Sequence, residues 1–249
     1  PTWGDKWNLK CAHFHFSEIP AGQFEEVKMT ASAKLYKTRY FVYPDKVGGL
    51  EDIPQDIVDM YTVDDAKFDY NNPIIQKAVK QAVGDETNPY WIARKIFKYL
   101  IDNMYYELAG GWNVAPAVLE RGNGSCSEYS FVFIAMCRAA GVPARFAGSI
   151  VVRGDDASYD DVFHRWVEVY LPGYEWIPVD PSGGDQKWPA DQARYFGYLD
   201  NRFLITTLGG GGSEFLDWGY NTNAFYTGQG RCKVAIEYFG EWTPVEETE

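Results

Sequence analysis

The chain has 249 residues, of which 46% are hydrophobic and 23% are charged, a composition typical of one large globular domain or of a main domain with a small appendage. The formal net charge of −12 at pH 7 argues against nucleic acid and anionic membrane surfaces as partners, because both are bound through basic patches. No apolar stretch approaches the roughly 20 residues that a membrane-spanning helix requires, so no span is predicted.

The start of the sequence and its aromatic residues favour an exported protein. The chain begins at Pro1 without a methionine, which indicates that a targeting segment has been removed or that the sequence is a piece of a longer protein. The four cysteines do not form a disulfide framework, although a Cys11–Cys232 pair would indicate an oxidising compartment. Since tyrosine and tryptophan are also abundant, we expect an extracytoplasmic location, whether secreted, periplasmic or surface-attached.

The first part of the chain carries β-strand signals. Phe14 and Phe16 alternate with polar neighbours, and residues 33–43 form a long strand-like stretch. Residues 51–70 are predicted to be an irregular connector. We therefore predict a β-rich N-terminal segment at residues 1–60.

Three helices follow, and each has a clear start or stop signal. They are predicted at residues 72–84, 88–104 and 125–141. The first two begin with an asparagine cap followed by a proline, which suits the first helical position, and the third ends with a glycine followed shortly by a proline. Between Phe131 and Cys137 the third helix is apolar on all sides, so we expect it to be buried.

The remaining regular elements are predicted to be strands. Strand-like runs lie at residues 145–152, 163–171, 175–180, 203–207 and 232–239. The second and third of these runs are separated by Pro172-Gly173, a strong turn signal that predicts an antiparallel hairpin.

Three side chains have the chemistry of a cysteine nucleophile with an oriented base. Cys126 lies at the start of the third helix, His164 opens one strand of the hairpin, and Asp180 closes the other. A free thiol is mostly protonated at neutral pH, but a helix N-terminus and a nearby imidazole both stabilise the thiolate. The first amide N–H groups of a helix have no partner within it, so they can hold an oxyanion. The pattern predicts acyl transfer or acyl hydrolysis through a thioester.

The hairpin geometry tests whether His164 and Asp180 can meet. A two-residue Pro172-Gly173 turn would set His164 opposite Pro181. An odd-length loop or a bulge would instead set His164 opposite Asp180, with Cβ atoms about 4.5–5.5 Å apart. We therefore predict an irregularity in this hairpin.

Four motifs give the chain a specific resemblance. They are GSCSEYS at residues 124–130, AAGVPAR at 139–145, HRWVEV at 164–169 and WIPVDP at 176–181. In this order they resemble the core of the transglutaminase-like superfamily from about residue 72 to residue 181. The resemblance implies a papain-like α+β fold, with the nucleophile helix packed on an antiparallel β-sheet. It also implies that Cys126, His164 and Asp180 form a catalytic triad, in a transglutaminase-like catalytic domain that we place at residues 61–249.

The resemblance implies attack by a thiolate on an amide carbonyl of a protein or peptide substrate, which could be glycan-linked. Water as the acceptor gives proteolysis or deamidation, and an amine gives cross-linking. We favour hydrolysis, because a single compact domain offers no obvious second site for an amine. The alternative is a catalytically silent transglutaminase-like domain that binds protein or glycan through its aromatic residues; the complete set of Cys126, His164 and Asp180 argues against it.

Several residues also have simpler interpretations. A buried cysteine, a core histidine and an aspartate that caps a turn are the structural alternatives for Cys126, His164 and Asp180. No cofactor or metal is predicted, because three histidines do not provide a convincing metal shell for a metal-dependent hydrolase. A calcium site among the aspartates of residues 155–161 is less favoured than a solvated hairpin loop.

Overall fold

A buried helix is the central element of the fold, and it carries Cys126 at its first residue. The structure is a computed structural model that describes residues 2–108 and 111–245. Its described helices are α1 Gln55–Tyr61, α2 Pro73–Val83, α3 Pro89–Asn103, α4 Ala115–Arg121, α5 Cys126–Ala139 and α6 Pro189–Gln192. Helix α5 is buried over nearly its whole length, as its apolar sequence predicts.

The helix starts were predicted from local signals and are confirmed. The side chain of Asn72 accepts a hydrogen bond from the amide of Ile74, and α2 begins at Pro73. The side chain of Asn88 accepts from the amides of the second and third residues of α3. These caps satisfy amide groups that a helix leaves without partners at its start, so the sequence fixes where each helix begins.

An antiparallel four-stranded sheet packs against α5. The described strands are β1 Thr2–Gly4, β2 Lys10–Ala12, β3 Thr38–Arg39, β4 Tyr105–Tyr106, β5 Asn123–Gly124, β6 Ala144–Val151, β7 Ser158–Asp160, β8 His164–Leu171, β9 Glu175–Val179, β10 Tyr198–Leu199, β11 Phe203–Gly209 and β12 Gly240–Trp242. The main sheet has the order β11-β6-β8-β9, and the core lies between this sheet and α2, α3 and α5. The predicted α+β class, with the cysteine-bearing helix on an antiparallel sheet, is confirmed.

The β8–β9 hairpin has the predicted odd-length loop but not the predicted register. Three residues separate the strands, and Val167 pairs with Val179 at the end of the hairpin furthest from the loop. Extending this register sets Asp180 opposite Trp166, so the expectation that Asp180 lies directly opposite His164 is wrong. The two residues are instead diagonal neighbours on one face, a separation that an imidazole and a carboxylate can bridge.

Some strand predictions outside the sheet are wrong. Of residues 33–43 only Thr38–Arg39 forms a strand, and no strand forms over residues 232–239. The apolar side chains of these stretches, such as Phe41, are largely exposed and have no sheet face to pack on. The predicted irregular connector at residues 51–70 contains helix α1.

The N-terminal segment packs on the rest of the chain through Trp7. The indole N–H of Trp7 donates to the carbonyl of Gly212 at 3.1 Å, and its ring stacks on Tyr61. The division into a segment at residues 1–60 and a catalytic domain at 61–249 stays a prediction.

Cys11 and Cys232 are both free thiols and do not form the disulfide that the sequence left open. Among the described residues, no helix combines the length and the apolar character that a membrane crossing needs.

Candidate active site

Cys126 is the first residue of α5 and is held there by a reciprocal cap. The hydroxyl oxygen of Ser125 accepts a hydrogen bond from the amide of Glu128 at 3.4 Å, and the Glu128 carboxylate accepts from the amide of Ser125 at 3.1 Å. This capping box fixes the first turn of the helix. The Cys126 side chain is therefore rigidly placed, and the residue is only 8% exposed.

His164 and Asp180 form a short polar contact beside this helix end. Nε2 of His164 lies 2.7 Å from Oδ2 of Asp180. The other carboxylate oxygen of Asp180 accepts from the amide of Gly183 at 2.8 Å and from the hydroxyl of Ser182 at 2.9 Å. With both oxygens engaged, Asp180 cannot turn away, and it fixes the orientation of the imidazole.

The third contact joins Cys126 to His164. Burial raises the pKa of the Cys126 thiol, but hydrogen bonding to His164 and the charge of that imidazole lower it. Asp180 takes up Nε2 of His164, which leaves Nδ1 as the ring nitrogen available to the thiol. The structure thus brings together all three residues that the sequence selected.

The electrostatics of this group favour a charged thiolate and a charged imidazole. Burial raises the pKa of the Cys126 thiol, but the hydrogen bond and charge of His164 outweigh burial and hold that pKa below its ordinary value. Burial lowers the pKa of His164, but the charge and hydrogen bond of Asp180 raise it to about 10. Burial also raises the pKa of Asp180, and the charge of His164 more than offsets this. These shifts favour a thiolate and an imidazolium beside a carboxylate.

Glu128 has a structural role that the sequence only partly indicated. Its carboxylate is fully buried and accepts from the amide of Asn113 at 3.1 Å and from Arg121 at 2.9 Å, besides closing the cap at Ser125. The carboxylate thus stabilises the first turn of α5, pairs with Arg121, and ties the segment before α4 to the helix that carries Cys126.

Asp160 was missed by sequence reasoning, which treated residues 155–161 as a solvated loop. Its carboxylate is fully buried and accepts from the amide of Val151 at 2.7 Å and from Arg153 at 2.6 and 2.9 Å. It also lies 3.4 and 3.3 Å from the amides of Val162 and Phe163. Phe163 has a φ of 62°, in the left-handed region that bulky residues avoid. Asp160 thus holds a strained residue next to His164.

Aromatic side chains form the surroundings of the thiol. Tyr220 is buried, and burial followed by the charge of Cys126 raises the pKa of its phenol to about 12. The charge of Cys126 also raises the pKa of Tyr106, after the larger effect of burial. The ring of Trp112 lies 5.9 Å from that of Tyr220. The part of the chain that the structure describes contains no group of three or more His, Cys, Asp or Glu side chains arranged to hold a metal ion.

Part of the chain matches a known protein family. Residues 76–181 match the sequence model of the transglutaminase-like superfamily. An uncharacterized protein of Haemophilus influenzae is 29% identical over 166 residues, which cover 54% of this chain and 44% of that protein. The chain therefore spans less than half the length of this curated relative.

Two solved structures are also similar to this chain. One is that of a candidate cysteine protease from Cytophaga hutchinsonii, with 18% identity, a TM-score of 0.45 and coverage of 78% of this chain and 65% of that one. The other is the periplasmic domain of TgpA from Pseudomonas aeruginosa, with 18% identity, a TM-score of 0.41 and coverage of 52% and 48%.

Proposed function

We propose that the chain is a cysteine enzyme that attacks amide carbonyls through a thioester, a proposal supported by the match of residues 76–181 to the transglutaminase-like superfamily. Cys126 acts as the nucleophile, His164 as the general base and acid, and Asp180 as the group that orients His164. One observation carries the proposal: Nε2 of His164 lies 2.7 Å from the Asp180 carboxylate, beside the helix that begins with the Cys126 thiol.

The first half of the reaction forms the thioester. The Cys126 thiolate attacks the amide carbon, a C–S bond forms, and the carbonyl π electrons move onto oxygen. The amide N–H of Cys126, which has no partner within α5, donates to this oxyanion. The imidazolium of His164 then gives its proton to the departing amine as the C–N bond breaks.

The second half of the reaction returns the enzyme to its starting state. Neutral His164 takes a proton from water, whose oxygen attacks the thioester carbon. The C–S bond breaks, releasing a carboxylic acid and restoring the Cys126 thiolate beside the imidazolium. Throughout both halves, Asp180 keeps the imidazole in one orientation and stabilises its positive charge.

We favour water over an amine as the acceptor and a protein or peptide as the substrate. The support is the same as at the sequence level, a single catalytic domain with no second site assigned to an amine. We place the reaction outside the cytoplasm. Incubation with a glutamine-bearing protein and a labelled amine distinguishes the acceptors, because rapid incorporation of the label would mean that the enzyme cross-links.

The test of the nucleophile is the pH dependence of its alkylation by iodoacetamide between pH 4 and 9. Cys232 is exposed and would also react, so all proteins carry Cys232→Ser. We expect fast labelling of Cys126 at pH 6 and a large loss of this labelling in His164→Ala. Cys137 is an internal reference, because it is fully buried and burial raises the pKa of its thiol.

The opposite result would favour a different class of protein. Labelling of Cys126 only above about pH 8, unchanged in His164→Ala, would mean an ordinary thiol. The chain would then be a catalytically silent member that binds protein or glycan, and binding assays would replace the search for a hydrolytic substrate.

A further inference from the structure

Asp185 joins two halves of the candidate site: the cysteine half, made of β4, β5 and α5, and the histidine half, made of β8, β9 and the turn after β9. It lies in that turn, five residues after Asp180. One oxygen of its carboxylate, Oδ2, accepts a hydrogen bond from the backbone amide of Tyr106 at 2.7 Å and from the hydroxyl of Tyr129 at 3.3 Å. A single side chain therefore links the histidine half to both β4 and α5.

In the histidine half, Asp185 belongs to a turn that is built on Asp180. The Asp180 carboxylate accepts from the amide of Gly183 and from the hydroxyl of Ser182. The amide of Asp185 donates to the carbonyl of Ser182 at 3.2 Å, which ties Asp185 to the same turn. Because Asp180 also contacts the imidazole of His164, a displacement of this turn would displace the partner of the candidate base.

In the cysteine half, both donors to the Asp185 carboxylate lie close to the start of α5. Strand β4 pairs in parallel with β5 and sets Tyr106 opposite Gly124, which precedes Cys126 by two residues. Tyr129 lies on α5 itself, three residues after Cys126, and is fully buried. The segment that carries the thiol is thus held to the turn after β9 from two directions.

The location of these bonds makes them important for the geometry of the site. Cys126 and His164 are the first residues of α5 and β8, and the ends of regular elements open more readily than their middles. The core packs α5 on the sheet along its length, whereas Asp185 connects the two halves at the end where the thiol and the imidazole lie. A hydrogen bond from an amide to a carboxylate is also stronger than one between neutral groups.

We propose that Asp185 is a positioning residue that holds the cysteine half against the histidine half and so sets the distance between the Cys126 thiol and the His164 imidazole. It acts through Tyr106 and Tyr129 rather than on the reacting atoms. This inference rests on the proposed function, since the distance matters for activity only if the thiol and the imidazole react as a pair.

The experiment measures the rate of iodoacetamide labelling of Cys126 between pH 4 and 9, quantified by peptide mass spectrometry in the Cys232→Ser background. Asp185→Ala removes both hydrogen bonds. Asp185→Asn removes the charge but keeps a carbonyl oxygen that accepts from the same donors. Comparison of these two variants separates the hydrogen bonds from the charge.

Asp64→Ala is the matched control for the loss of a half-buried aspartate. The Asp64 carboxylate also accepts from backbone amides, at 2.9 and 3.0 Å. Its neighbour Val63 accepts from Arg138 in the last turn of α5, about 18 Å along the helix from Cys126. This variant should have a lower melting temperature and an unchanged labelling profile.

We expect Asp185→Ala to slow labelling at pH 6 about tenfold and to raise the midpoint of the pH profile by about one unit, because a more distant imidazole stabilises the thiolate less. Loss of a negative charge alone would instead favour the thiolate and lower the midpoint. Asp185→Asn should label within about threefold of the parent protein, since its hydrogen bonds are weaker but present. If Asp185→Ala does not fold, the nearly isosteric Asp185→Leu replaces it.

Three results would overturn the proposal. Unchanged labelling in Asp185→Ala would mean that the bonds to this carboxylate do not set the geometry of the pair. Equal changes in Asp185→Ala and Asp185→Asn would mean that the charge is responsible, and an equal change in Asp64→Ala would mean a general loss of stability. All three differ from failure of the proposed function, in which the parent protein itself would label only above about pH 8.

Discussion

The buried carboxylate of Asp160 is predicted to control the position of His164, and Asp160→Asn tests this. The substitution keeps the side-chain volume but removes the negative charge and replaces one acceptor oxygen with a donor. In the structure that carboxylate accepts from the amide of Val151 and from Arg153, and it faces the amides of Val162 and Phe163. An amide NH₂ group would therefore point at groups that also donate.

The loss of stability expected for Asp160→Asn depends on which of these contacts are shielded from water. The Arg153 side chain is 46% exposed, so its ion pair with Asp160 contributes about 1 kcal/mol or less. The bond from the Val151 amide, at 2.7 Å to a fully buried carboxylate, is worth about 1.5–3 kcal/mol. We expect Asp160→Asn to cost about 3 kcal/mol in total, which for a chain of this size lowers the melting temperature by about 6–12 °C.

The effect on reactivity comes from Phe163. A left-handed φ of 62° in a bulky residue costs about 1–3 kcal/mol and persists only while its surroundings hold it. Once Asp160 no longer anchors the loop, Phe163 can relax and His164 moves with it. A displacement of about 1 Å at a catalytic group can cost about a hundredfold in rate.

The assay combines thermal unfolding with iodoacetamide labelling of Cys126 at pH 6, in the Cys232→Ser background. Asp161→Asn is the matched control, because Asp161 is the exposed neighbour and should change neither quantity. A lower melting temperature with unchanged labelling would refute the positioning argument. An unchanged melting temperature would refute the anchoring role of Asp160 itself.

Three further predictions concern the site and the packing around it. In initial-rate assays, the rate of amide hydrolysis should follow a bell-shaped pH profile. On the alkaline side the rate falls as His164 loses its proton, because the pKa of this imidazole is raised to about 10. On the acid side the rate falls as the Cys126 thiolate, whose pKa is lowered, becomes protonated. Gly148→Ala should destabilise the protein by about 1–3 kcal/mol in urea unfolding, because the new Cβ would lie 2.5 Å from the Cβ of Tyr220. Glu128→Gln should lower the free energy of unfolding by about 1–3 kcal/mol in the same assay. The buried carboxylate accepts hydrogen bonds from two backbone amides and an arginine, and the glutamine side chain can accept only some of them.

The parts of the fold that were predictable are those encoded by neighbouring residues. Helices α2 and α3 have an asparagine cap and a proline within two positions, and α5 has a serine and a glutamate three residues apart. These signals need no information from distant parts of the chain. The three candidate catalytic residues were found in the same way, because each lies within a short motif at the end of a regular element.

The register of the β8–β9 hairpin was not predictable in this way. Pro172-Gly173 indicated a turn, but the loop includes Tyr174, and Glu175 adopts a φ of 60° as the next strand begins. One residue more or less in a turn moves every cross-strand partner. The strand-like stretches at residues 33–43 and 232–239 failed for a related reason, because β-propensity describes a fit to a sheet face and no such face is present there.

Buried charges were also missed, although one signal was available. Arg165 lies on the same face of β8 as Val167 and Val169, which point into the core. Its position on the strand therefore predicts a cation among apolar residues. Arginine is usually exposed, so its residue type alone does not predict this burial. The strand period thus indicates a buried charge at Arg165, next to the candidate catalytic histidine.

The residues on both sides of the thiol–imidazole pair are positioned by the same kind of interaction, a buried carboxylate that accepts hydrogen bonds from backbone amides. Glu128 on the cysteine side and Asp160 on the histidine side are both fully buried carboxylates, and each accepts from backbone amides of an irregular segment and from one partly exposed arginine. A helix or sheet satisfies its amides internally, but a loop at an active site cannot, and an unsatisfied buried amide costs about 1–3 kcal/mol. A buried carboxylate satisfies several such amides at once, and the partly exposed arginine provides its counter-charge without itself being fully desolvated. Loops fixed in this manner hold Cys126 and His164 in place on both sides of the pair.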